Sequence, residues 1–123
     1  MIIFDNFKLE DGIPIYLQII RYIKQGIAAG TIMAGDELPS RRVLSALLGV
    51  NPNTVQKAYR VLEEERLIES RSGAKSYMKL DDEKIGKIRT ELVENDAKNA
   101  VKMLKQIGIN KAEALLLIEK YWN

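Results

Sequence analysis

LPSRRVLSALLGVNPNTVQKAYRVLEEERLIESRSGAKSYM, residues 38–78, is the stretch whose reading decides the fold. Ser40 stands where it can cap a helix in which Val43, Leu44, Leu47 and Leu48 recur as an apolar stripe, and Gly49 stops that helix. Gly49 supplies a position of positive φ, Val50 an apolar plug between two helices, and Asn51 a second cap. Pro52 is pre-set for the first position of the helix that follows. In this next helix Val55, Ala58, Tyr59 and Leu62 fall on one side. Ile68–Arg71 and Lys75–Met78 then read as two short strands around a Ser72-Gly73-Ala74 turn. Helix, tight turn, capped helix and hairpin in direct succession is the layout of a winged helix-turn-helix, which sets its second helix in a DNA groove.

The side chains left outside that apolar side are Asn53, Thr54, Gln56, Lys57 and Arg60. Asn and Gln pair bidentately with adenine, Lys and Arg with guanine or phosphate, and the Thr methyl meets a thymine methyl. These residues also suit a solvated helix side, but the helix start carries no acid, although its dipole would favour one there. Arg41 and Arg42 open the preceding helix, within reach of backbone phosphates beside an inserted helix. Arg71 and Lys75 flank the hairpin tip, where basic residues follow a phosphate or enter the minor groove; an ordinary solubilising hairpin end would look the same. Charge is distributed accordingly: residues 38–80 hold eight Lys/Arg against four Asp/Glu, residues 1–37 three against five, and residues 81–123 eight against eight. Counterion release needs its positive excess where phosphates are met. The competing reading keeps the fold and drops the DNA: a winged-helix protein-interaction module without sequence-specific DNA binding.

Upstream, Pro14 opens a helix with Ile15, Ile19, Tyr22, Ile23 and Ile27 at spacings of three and four, stopped by Gly30. The turn-rich 31–38 connection has room for one very short strand around Ile32. Downstream, Asp81 to Ile107 reads as one long amphipathic helix, Gly108 breaks it, and Asn110 caps a short final helix with a broad apolar surface. Two helices enclose no core of their own, so that surface packs on the winged part or on a second chain. We favour a second chain, with Ile85, Ile88, Leu92, Leu104, Leu115, Ile118, Tyr121 and Trp122 as the dimer interface. Residues 1–80 are then a DNA-binding domain and 81–123 a two-helix dimerisation region. The fold class is mainly α with a small β-hairpin. A two-fold dimer reads two half-sites, so the target is an inverted repeat in double-stranded DNA. So small a tail leaves little room for a ligand pocket of roughly 300 Å³, which places any effector site at the dimer interface.

Within 123 residues, 46% of them apolar, one compact domain or a small domain plus an appendage fits. Cysteine and histidine are both absent, which excludes disulfides, thiol nucleophiles, the usual zinc sites and the commonest general base. No cofactor or metal is expected. The start MIIFDNFKLEDG lacks a basic leader and an apolar run, and no later stretch approaches the roughly 18 apolar residues of a membrane span, so a cytoplasmic protein without membrane association is expected. As enzyme candidates, Asp81-Asp82-Glu83 and Glu63-Glu64-Glu65 offer carboxylates and Ser40 or Tyr77 a nucleophile. Each has a simpler role as helix-start acid, solvated face or cap, so no enzyme is expected.

Leu38-Pro39-Ser40, Arg42, Leu44, Leu48-Gly49-Val50, Thr54-Val55, Ala58, Leu62-Glu63 and Leu67-Ile68 before the Gly73 hairpin resemble the DNA-binding domain of GntR-type bacterial transcription regulators. The Pro14-Ile15-Tyr16-Leu17-Gln18-Ile19 opening and Asn51-Pro52-Asn53-Thr54-Val55 are similar to the YtrA-like subfamily. The resemblance spans about Phe4 to Met78. It implies DNA contacts from Ser40 and Arg42, from Asn51, Asn53, Thr54, Gln56 and Lys57, and from the wing tip at Gly73. It further implies a homodimeric repressor whose targets include genes for ABC-type transporters. The chain departs from the family pattern at Arg66, where a glycine usually closes the third helix, and at Lys75, where the wing usually has its second glycine.

Overall fold

Pro14 sets the backbone one residue ahead of the first helix, and Ile19, Ile20, Ile23 and Ile27 give that helix a buried side. In the computed structural model, which describes residues 1–71 and 75–123, this helix, α1, runs Ile15–Ala29 and closes at Gly30. The segment before it lies against α1: Phe4 stacks on Tyr22 at 4.8 Å, Phe7 meets the same ring edge-on at 5.4 Å, and the Tyr22 hydroxyl donates to the Ile3 carbonyl at 2.7 Å.

After α1 the chain folds straight back. The amides of Thr31 and Ile32 both donate to the Gly26 carbonyl, at 2.9 and 3.0 Å, and Ile32 is buried beneath the turn. The strand expected around Ile32 therefore lies elsewhere. With its N–H bonded to the helix end, Ile32 is a core plug, and β1 forms at Glu37–Leu38.

Ser40 caps α2 (Arg41–Leu48), its Oγ accepting from the Val43 amide at 3.1 Å, and Gly49 ends it at φ 68°. The apolar stripe predicted for α2 needs correction: Leu44 and Ser45 are buried and Leu48 is half-buried, whereas Val43 and Leu47 are 53% and 62% exposed. An eight-residue helix presents one narrow face to α3, and this face does not include either residue. Asn51 caps α3 (Pro52–Glu64) through its side-chain oxygen, which accepts from the Asn53 amide at 2.8 Å, and Pro52 begins the helix as read from the sequence. Val55, Ala58, Tyr59 and Leu62 are fully buried, and both α1 and α2 pack on α3.

α3 closes on Arg66, which takes the left-handed conformation itself, at φ 61°. Its amide donates to the Glu63 carbonyl and that of Leu67 to the Leu62 carbonyl, both at 2.9 Å, the paired bonds of a Schellman ending. The chain continues into β2 (Ile68–Ser70) and β3 (Ser76–Met78). The sheet is antiparallel in the order β1-β3-β2, with Glu69 and Glu37 flanking Tyr77, and Ser70 and Leu38 flanking Ser76. The hairpin read from the sequence thus gains a third strand.

α4 (Asp82–Ile107) starts with its Lys84 amide bonded to the Asp81 carboxylate at 2.8 Å. Its first two turns belong to the winged part. Ile88 is only 6% exposed, Lys84 Nζ donates to the carbonyls of Arg66 and Lys79, and Arg89 donates to the Ala28 carbonyl. Met1–Arg89 forms one compact unit and Thr90–Asn123 a second. In the second, Gly108 turns the chain at φ 87°, and Asn110 caps α5 (Lys111–Tyr121) by accepting from the Glu113 amide at 2.9 Å. No residue of α5 is buried. Among the described residues no helix is long and apolar enough to cross a membrane.

Candidate nucleic-acid interface

Burying Val55, Ala58, Tyr59 and Leu62 fixes the rotation of α3 about its axis, and that rotation determines which side chains face outward. Asn53, Gln56, Lys57 and Arg60 are exposed and Thr54 is half-exposed. Asn51 is exposed too, with its side-chain oxygen engaged as the cap. No acidic side chain occupies the first turn of α2 or of α3, so the positive helix ends are not neutralised locally. Arg42 is exposed at the start of α2, next to the Ser40 cap.

Arg41 behaves differently. Its guanidinium lies 3.1 Å from Glu63 and 5.3 Å from the centre of the Tyr59 ring, and its Nε is buried with no partner among the described residues. The Glu63 carboxylate also accepts from the Ser70 hydroxyl at 3.1 Å, so one carboxylate ties α2, α3 and β2 together. The Tyr59 hydroxyl donates to the Pro39 carbonyl at 2.6 Å; burial pushes its pKa well above the usual phenol value, against the opposing pull of Arg41. Arg41 thus braces the two helices. Glu63, read from the sequence as part of a solvated acidic face, is a half-buried hub.

On the wing, Arg71 lies 3.1 Å from Glu69 and 4.6 Å over the Tyr77 ring, and Lys79 lies 3.7 Å from the same carboxylate. Lys75 is exposed, and its carbonyl accepts from the Arg71 amide at 2.9 Å. The expected contact at Gly73 lies outside the described residues. Tyr16 was given no role in the sequence reading. It stands at the start of α1 with the Lys57 ammonium 4.1 Å over its ring. Forty-one positions separate the two, and no local pattern announces such a pair.

The family model of bacterial regulatory proteins, gntR family, matches residues 15–77, from the start of α1 into β3. The chain belongs to the GntR family. The HTH-type transcriptional repressor YtrA of Bacillus subtilis (strain 168) is 38% identical to it, over 87% of this chain and 78% of that protein. Among solved structures, a GntR family transcriptional regulator from Listeria monocytogenes superposes with a TM-score of 0.78 at 36% identity, covering 91% of this chain and 98% of that one. AraR(DBD) in complex with operator ORX1 superposes at 0.50 with 27% identity, over 58% of this chain and 86% of that one. This GntR chain is therefore a winged-helix, DNA-binding transcription regulator of YtrA-like type and not an enzyme.

Of the anticipated interface residues in this GntR chain, Leu92 and Leu104 are half-buried, and Leu115, Ile118, Tyr121 and Trp122 are exposed, the last two at 71% and 80%. Ile85 is half-buried. Ile88, expected in the dimer interface, is buried within its own unit, Met1–Arg89. Within the second unit, α4 and α5 enclose a half-open groove of about 540 Å³ lined mainly by alanine, leucine and isoleucine. Ala97, Ala100 and Ala114 are among the residues that line it.

Proposed function

We propose that this regulator is a repressor that occupies an inverted-repeat operator as a homodimer and so blocks promoter access. The observation that carries the reading is the α3 face: Asn53, Gln56, Lys57 and Arg60 stand outward on a helix whose opposite side is fully buried, beside an exposed Arg42 and with no acid in the first turn. Asn53, Thr54 and Gln56 read base edges. Lys57, Arg60 and Arg42 meet phosphates or guanine, and Lys75 follows the backbone beside the wing. Ser40 and Asn51 present the amide-rich ends of their helices to phosphate. The sign of regulation is supported by the likeness to a protein named as a repressor.

Homodimerisation is supported by the second unit, where Leu115, Ile118, Tyr121 and Trp122 are all exposed on a helix that buries no residue of its own. On this reading residues 1–80 bind DNA and 81–123 dimerise, the interface coming from the part of α4 beyond Ile88 and from α5. Work in the cytoplasm, where the operator is, belongs to this reading, and the YtrA-like resemblance of the sequence adds ABC-type transporter genes as targets.

The test is selection of duplexes from a random-sequence library, followed by anisotropy binding of the selected and a scrambled duplex at two salt concentrations. A selected inverted repeat, preferred about a thousandfold at both salts, is the expected result. Equal binding of both duplexes, erased by salt, would leave only a phosphate footprint and sink the operator reading.

A further inference from the structure

Lys57 shares a ring contact with Arg41 and Arg71 but, among the described residues, lacks the carboxylate that each arginine also has. Arg41 and Arg71 are engaged by the carboxylates of Glu63 and Glu69, whereas the Lys57 ammonium sits 4.1 Å from the centre of the Tyr16 ring. A carboxylate partner competes with phosphate for the cation and cancels its charge. A neutral ring face does neither. The pair joins the first turn of α1 to α3, with Tyr16 half-buried and Lys57 exposed. Together with Pro14, Asn53 and Thr54 they line an open groove of about 440 Å³ at the start of the recognition helix.

We propose that Tyr16 is a positioning residue for DNA recognition: its ring holds the Lys57 ammonium beside Asn53 and Thr54, already ordered and with no carboxylate to displace. An exposed lysine loses much of its rotamer freedom when it binds, and one resting on a ring has given up part of that freedom beforehand. The contact also couples α1 to the start of α3, so the first helix takes part in recognition through this pair. The inference rests on the DNA contact assigned above to Lys57.

The experiment uses the full chain and its selected duplex. Tyr16→Leu is expected to weaken binding about two- to fivefold, the size of one exposed cation–π contact. Tyr16→Phe, which keeps the ring face and loses only the hydroxyl, is expected to bind as the parent does. In a Lys57→Ala background Tyr16→Leu is expected to add no further loss. Without DNA, the ε-methylene protons of Lys57 are expected upfield in the parent and in Tyr16→Phe and at ordinary shifts in Tyr16→Leu. The upfield shift in the parent and in Tyr16→Phe does not depend on how the leucine variant folds, and the leucine arm is read only on protein whose other amide shifts match the parent's. Equal losses in the Phe and Leu variants, or an undiminished loss in the Lys57→Ala background, would overturn positioning. Parental affinity for Lys57→Ala would remove the contact reading together with the inference. Loss in Lys57→Ala with Tyr16→Leu unaffected would remove the inference alone.

Discussion

Arg66 sits at φ 61° because the Schellman ending of α3 demands a left-handed residue there, and the side chain bears the steric cost that a glycine escapes. Arg66→Gly should raise unfolding stability by about 0.5–1 kcal/mol, the left-handed penalty less the extra entropy glycine has when unfolded. Urea denaturation reads this directly, and a lower midpoint would mean that the arginine side chain makes stabilising contacts of its own. On the recognition face, Gln56→Ala should cost roughly 1–3 kcal/mol on the cognate duplex and relax preference at one base position. Arg42→Ala should instead weaken all duplexes alike and lower the salt slope by up to about one unit. A flat specificity profile for the first, or an unchanged slope for the second, would reverse the assigned roles. The caps at Ser40 and Asn51 were legible from sequence because the residue types that accept a free helix amide are few and the amide lies only two or three positions on. The inward turn of Arg41 was not legible, since Glu63 is brought to it only when α2 packs on α3.

At the scale of elements, the closure of α1 turns on Gly26, whose carbonyl receives both the Thr31 and Ile32 amides. A methyl group there would overlap Ile32 Cδ1 and lie 2.7 Å from Cγ1, inside a buried contact. Gly26→Ala should therefore destabilise the protein by about 1 kcal/mol, because overpacking at about 1–3 kcal/mol outweighs the gain in helix propensity. A rise in the thermal midpoint would show that Ile32 repacks freely. Helix positions were readable because apolar periodicity is a property of each segment alone. The wrong stripe on α2 arose because periodicity shows that a face is apolar and only the neighbouring element decides how much of it is covered, whereas the strand was misplaced because the Ile32 amide closes α1 on the Gly26 carbonyl. α2 packs on α3, and Val43 and Leu47 remain outside that contact.

For the whole molecule, α4 begins inside the winged unit and continues beyond it, and this governs where the chain can be cut. A fragment of residues 1–89 should remain folded, sediment as a monomer and bind DNA weakly. The fragment 1–80 should be less stable by about 1.5–3 kcal/mol, because burial of Ile88 is lost. Dimeric sedimentation of 1–89 would refute the assignment of dimerisation to the tail, and equal stability of the two fragments would refute the anchoring role of Ile88.

The sequence by itself determined the succession of helices, the glycine and asparagine that joint them, the outward polar face of α3 and the likeness to GntR regulators. Each of these depends on interactions within a few residues or on a continuous motif. Only the tertiary structure decided that Glu37–Leu38 supplies the third strand, that Arg41 braces rather than projects, that Ile88 belongs to the winged unit and that Tyr16 lies under Lys57. These depend on which distant segments meet, and that is settled by packing, where many weak contacts act together and no single residue carries the signal.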